Sequence, residues 1–224
     1  MAVCLGSARV AAIRVSRLDS TCYCVGGADN AVVSSAIVRL QASPEYETGE
    51  EFTQKNGDGD IVINIKDQDR LKRINLTMEF ATRDIALLEL LTGGTVYTNG
   101  GGDIIGFARR GVGAQASDPV AMELWTRAVS SSGECVAASD AWWRWTYPKA
   151  TFTLGDVSHE NGIGLVNLTG TAEANPNYGD GCWDDWPAEE EIDPSSPEHF
   201  VLDSAGPPTT ACGYTATPVP NATS

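Results

Sequence analysis

The sequence predicts a mainly β fold: a β-sandwich or half-barrel with one short flanking helix. Three observations predict it. Apolar and polar residues alternate with period two over several stretches. Glycine is frequent, at 23 of 224 residues, and falls between short apolar runs where turns belong. One stretch alone has helical spacing. The length suits one large β domain, with or without an appended arm, and 42% hydrophobic residues can build a core.

Residues 13–18 and 32–42 read as strands, separated by the turn formers Gly26, Gly27, Asp29 and Asn30. Residues 43–60 are polar, acidic and aperiodic, which predicts an eighteen-residue loop; loops that long usually carry function or are disordered. Ile61, Ile63 and Ile65 then share a face opposite Asn64 and Lys66. After a turn at Asp67–Arg70, Ile74, Leu76, Met78 and Phe80 alternate with Asn75, Thr77 and Glu79. The short link predicts an antiparallel hairpin of these two strands. Residues 84–92 carry Ile85, Leu88 and Leu91 at helical spacing, with Asp84 as N-cap and Gly93–Gly94 as the stop. Strand patterns resume at 104–109, 119–129, around Trp142, Trp143 and Trp145, at 149–157 and at 163–173. In the last, Asn167, Thr169, Thr171 and Glu173 face one way, and Val166, Leu168, Gly170 and Ala172 the other. Residues 1–175 therefore read as a β domain. Residues 176–224 read as an extended acidic arm with eight of the eleven prolines, nine acids and no base, pinned by Trp183, Trp186 and Phe200.

Charge excludes one class of function. The net charge is −15, and every Lys and Arg lies at or before Lys149. Such a chain repels polyanions rather than binding them through counterion release. The start lacks a basic segment followed by an apolar one, which predicts residence in a cytoplasm, and no run is long enough to span a membrane. In a reducing compartment Cys4, Cys22, Cys24, Cys135, Cys182 and Cys212 are expected as free thiols. With His159 and His199 the only histidines, no zinc set at workable spacing is seen, and no cofactor is expected.

The remaining motifs favour plain readings. The segment 56–67 resembles a calcium loop, but Ile61 stands where the turn glycine belongs and Asp67 where a bidentate Glu belongs, so a turn entering a strand is the better reading. Glu50–Glu51, Asp184–Asp185 and Glu189–Glu191 read as solvated acidic runs, not a glycosidase pair. No nucleophile elbow accompanies His159, and no phosphate-binding Lys follows the glycines at 101–106. An enzyme is not expected. The Trp142–Trp145 run suits sugar stacking or a buried core and subunit contact; the enrichment of Trp at interfaces favours the latter.

The order of pieces is more informative than any one of them. RVSRLD, ETGEEFTQKNGDGD, LKRINLTMEF, LLELLTGG, GFARR, MELWT, WRWTYPKATFTLGDVSHENG and LTGTAEANPNYGDG follow one another over residues 13–186. In this the chain resembles the major tail (tube) proteins of long-tailed, non-contractile phages, especially those of actinobacteria. The resemblance implies a virion subunit in which six copies share a ring-shaped inner β-barrel around a lumen. Rings stack into the tail tube, around a tape measure protein and beside other tail proteins, and DNA passes without specific binding. The long acidic end after Trp186 departs from the family's usual form. On this reading the 43–60 loop contacts the neighbouring ring through Glu45, Glu47, Glu50, Glu51 and Lys55. The polar strand faces line the lumen through Asn64, Asn75, Thr77, Glu79, Asn167, Thr169, Thr171 and Glu173, an acidic and small-polar surface that would not trap phosphates. The alternatives are a carbohydrate-binding β-sandwich, or another virion protein: a tail terminator, a distal tail protein or a capsid decoration protein.

Overall fold

The computed structural model describes residues 5–114, 117–130, 141–156 and 164–218. Its strands are β1 (Leu5–Arg17), β2 (Gly27–Ser34), β3 (Ile37–Glu47), β4 (Glu51–Lys55), β5 (Ile61–Lys66), β6 (Arg70–Phe80), β7 (Thr95–Thr98), β8 (Ile104–Ala108), β9 (Val120–Ser130), β10 (Trp142–Leu154), β11 (Val166–Glu173), β12 (His199–Asp203) and β13 (Tyr214–Thr217). One helix, α1 (Ile85–Thr92), lies between β6 and β7. Nine strands form one antiparallel sheet in the order β13-β2-β1-β9-β10-β11-β6-β3, with β12 also paired to β10. β4–β5 and β7–β8 are separate hairpins. The mainly β expectation holds, and the large sheet is consistent with a sandwich.

Strand β10 joins the two halves of the sheet. Residues 142–147 pair with β9 on one edge, 142–146 pair with β12 on the other, and 149–154 pair with β11. The β9 register breaks between Tyr147 and Ala150, around Pro148, which has no N–H to give a ladder. The halves enclose one core. Ile13, Val15, Val32, Met122 and Leu124 come from one side, and Ile74, Leu76, Met78, Phe80, Phe152, Val166 and Leu168 from the other. Alternation on β6 and β11 sorts apolar side chains inward, as a half-buried strand requires.

The helix packs into the same core through Leu87, Leu88, Leu90 and Leu91. Asp84 caps it, its side chain accepting from the Ala86 and Leu87 N–H groups. Gly93 ends it at φ 65°, a left-handed geometry that costs glycine nothing, and donates to the Glu89 carbonyl.

Several expectations are corrected. Residues 43–60 are not a loop: β3 continues to Glu47, and β4 occupies Glu51–Lys55. Both faces of these strands are largely exposed, so they carry no hydrophobic period to reveal them. Strand β5 pairs with β4 and not with β6, whose partners are β3 and β11; Arg70 begins β6 and is not a turn residue. The stretch 32–42 is split at Ser35–Ala36 between β2 and β3. Cys24 and Cys182 are disulfide-bonded, with Cα atoms 5.4 Å apart, while Cys22 and Cys212 are free. The arm does more than lie on the surface: β12 and β13 join the main sheet. His159, Cys4 and Cys135 lie outside the described residues.

Candidate functional site

The outer face of β3, β6, β11 and the second half of β10 is a continuous polar surface. Pairing sets its rows. Gln41 lies opposite Thr77, Thr77 opposite Thr169, and Thr169 opposite Thr153. The next row is Ser43, Asn75, Thr171 and Thr151. Hydroxyls meet across strands, at 3.3 Å for Thr151–Thr171 and 3.2 Å for Thr153–Thr169. Arg39, Glu79 and Asn167 form a third row, with Arg39 4.0 Å from Glu79.

Charge at the other end of the face is paired. Arg73 meets Glu45 at 2.8 Å, and Lys149 meets Glu173 at 2.9 Å. The Arg73 guanidinium, helped by Asn75, holds the Glu45 carboxyl below its ordinary range, and Glu45 raises Arg73 in turn. Hydrogen bonding to Glu173 raises Lys149. The face is therefore hydroxyl and amide in its middle, with Arg39, Lys72, Arg73 and Lys149 each beside a carboxylate. That is closer to neutrality than the net −15 of the whole chain suggests.

The sheet bearing this face has two open edges. Among the described residues β3 has β6 as its only ladder partner, and Thr151–Leu154 of β10 is paired on the β11 side alone. Open edges accept further strands.

Of the eight residues expected on this face, seven meet on it. Asn64 does not: it sits on β5, where its side-chain oxygen is 3.5 Å from the Thr53 hydroxyl. Glu45 and Glu47 lie on β3; Glu50 immediately precedes β4, while Glu51 and Lys55 are in it. The β4–β5 hairpin continues beyond β3 and β6 through a narrow joint. A Cβ on Gly49 would stand 2.0 Å from the Asp67 carbonyl oxygen, so the two chains can cross only at glycine. Asn56 organises the hairpin tip by accepting from the Asp58 and Asp60 N–H groups, which engages its carbonyl oxygen in the turn.

The arm is held by a buried ionic cluster that the alternation patterns did not disclose. Arg14 and Arg144, each 2% exposed, both pair with buried Glu123. Asp185 of the arm takes a two-pronged contact from Arg14 at 2.8 and 2.9 Å and another from Arg144 at 2.6 Å. Burial opposes ionisation of Glu123 and Asp185, but the two guanidiniums outweigh it and hold both carboxyls low. Indole rings surround the cations: Arg14 lies 4.4 Å from Trp183, and Arg144 lies 5.7 Å from Trp186. Trp183 also donates to Ser16 and packs on a second small core of Leu18, Ala121, Tyr178, Ile192 and the disulfide. Phe200 projects from β12 against Trp143 and Trp145, at 5.9 and 5.0 Å, and is 59% exposed. The available signal was a charge flanked by apolar neighbours inside three strands: Arg14, Glu123 and Arg144.

Among the described residues no His, Cys, Asp or Glu cluster could hold a metal ion, and no helix is long and apolar enough to cross a membrane. No protein-family model matches the chain, and no curated protein sequence does.

Proposed function

We propose that the chain is the repeating subunit of a phage tail tube, in which six copies close a ring and rings stack into a channel for DNA. The observation that carries this reading is the β3-β6-β11-β10 part of the sheet, polar outside and apolar inside, in which β3 and Thr151–Leu154 of β10 each have a free edge among the described residues. Setting β3 of one copy beside Thr151–Leu154 of the next would close both edges at once and continue the polar rows around a lumen. Four strands from each of six copies, at about 4.8 Å per strand, enclose a channel roughly 37 Å across at the backbone. A DNA duplex fits within it with water between. A lining of hydroxyls, amides and neutralised cations gives phosphates little to exchange for their counterions. The sixfold number and the tape measure partner rest on the resemblance in motif order.

The test is direct. Purified chain is examined by light scattering and negative-stain microscopy; rings of six and tubes are expected. A monomer at every concentration would refute the proposal. The second reading, a glycan-binding module, rests on exposed Phe200 beside Trp143 and Trp145. A monomer that binds glycans and loses them on Phe200→Ala would favour it.

A further inference from the structure

We propose that the cleft between β1 and β3 is a binding site for a neutral sugar ring. Such a site goes beyond the tube reading and belongs to the single chain, assembled or not.

The cleft has a volume of about 460 Å³, within the range of small-molecule sites. It lies against the main core: Leu124 and Tyr147 belong to that core, and Leu40 and Trp145 pack on it. Ser7, Arg9, Thr126 and Glu198 bring polar groups to the same walls. A cleft that is half aromatic and aliphatic, half polar, suits a ring with an apolar face and a hydroxylated rim.

The polar groups have bonding capacity left over. The Thr126 hydroxyl is 7% exposed and accepts from the Ser7 hydroxyl at 2.6 Å and the Trp145 indole N–H at 3.3 Å. A hydroxyl carries one donor besides its two acceptor sites, so its own hydrogen is left for a further acceptor. One Glu198 oxygen accepts from the Tyr147 hydroxyl at 2.7 Å; the other has no partner among the described residues. The Arg9 side chain makes no ion pair or hydrogen bond among the described residues. Its φ is 54°, left-handed in a residue with a Cβ, and the β1–β9 register breaks beside it at Val10. Irregular, strained strand positions commonly re-aim a side chain for a task.

These groups also select the class of ligand. Arg9 and Glu198 line one cleft, yet no ion pair joins them. A simple anion would meet Glu198, and a simple cation would meet Arg9. A neutral polyol suits both, because each of its hydroxyls donates and accepts. The apolar face of the ring has the Trp145 indole to lie on. That indole is held in place by its bond to Thr126 and by Phe200, 5.0 Å away between ring centres, so little order is lost on binding.

The test uses the full chain and four probes: the methyl glycosides of glucose, galactose and mannose, and N-acetylglucosamine. Saturation-transfer NMR reads binding, and at least one probe should bind with a Kd of about 1 mM. Arg9→Gln and Glu198→Gln should each weaken that binding about tenfold, since each removes a charged hydrogen-bond partner. Thermal melting monitors folding. Arg9 has no partner to lose, so Arg9→Gln keeps the fold and decides alone if Glu198→Gln unfolds. Failure of all four probes to bind at about 10 mM overturns the site, as does unweakened binding in Arg9→Gln. Binding that survives Arg9→Gln but is lost in Phe200→Ala puts the sugar on the exposed aromatic rings, which overturns the cleft and leaves the glycan-module reading standing. Preference for free phenylalanine, a zwitterion, over every sugar overturns the ligand class. Tube formation is read separately by microscopy, so the cleft and the tube reading fail independently.

Discussion

Replacing Glu123 by Gln should remove much of the stability of the fold. Glu123 is 3% exposed and holds two guanidiniums that are each 2% exposed. The substitution keeps the shape and removes one of the two negative charges that balance Arg14 and Arg144. Asp185 remains, but it is 44% exposed and belongs to the arm. Breaking a buried pair from one side leaves an uncompensated charge and costs about 3–5 kcal/mol. For a domain of this size that lowers Tm by roughly 6–20 °C. The assay is guanidinium unfolding under oxidising conditions, followed by tryptophan fluorescence, since Trp125 and Trp183 lie against Arg14. Replacing Arg14, Glu123 and Arg144 together by apolar residues of similar volume should cost much less than Glu123→Gln, although Asp185 loses its partners. The pH dependence follows from the same cluster. Glu123 and Asp185 are held below their ordinary values, so their contribution is complete above about pH 5.5, where they would be ionised even unfolded. It is lost as pH falls through the depressed folded values, and the Gln variant should lose less stability over that interval. A Glu123→Gln chain within about 1 kcal/mol of the parent would refute the reasoning.

Leu88→Asp should cost several kcal/mol, because it puts an unpaired carboxylate into the core beneath α1; an unchanged melting temperature would contradict that placement. Thr77→Lys with Thr169→Lys places two cations opposite each other on the exposed face, at a cost of about 1 kcal/mol or less. Under the proposed function such tubes still assemble but pass DNA more slowly, and delivery at the parental rate would argue against a lining role. Reducing the Cys24–Cys182 bond, which spans 158 residues, should cost about 2–5 kcal/mol and free the root of the arm to protease. Melting that is identical with and without reductant would show the bond to be dispensable.

Local pattern determined a good deal about this protein. Alternation in 74–80 and 166–173 named the two strands, the buried set and the polar set, because one face of each is covered and period two records that directly. The helix was legible for the same reason, with Asp84 and Gly93 marking its ends. Strands exposed on both faces left no such trace, so β4 and the outer part of β3 looked like loop. Partner choice was likewise invisible: β5 prefers β4 over β6 through backbone pairing, which side-chain period does not encode. The tertiary structure alone decided three things. It set seven polar residues from two strands into one face with Thr151 and Thr153 of a third. It joined Cys24 to Cys182. It also placed Asp185 of the arm against Arg14, 171 residues away. Each is a contact between distant segments, and a sequence records which side chains need partners but not which partner the folded chain brings within reach.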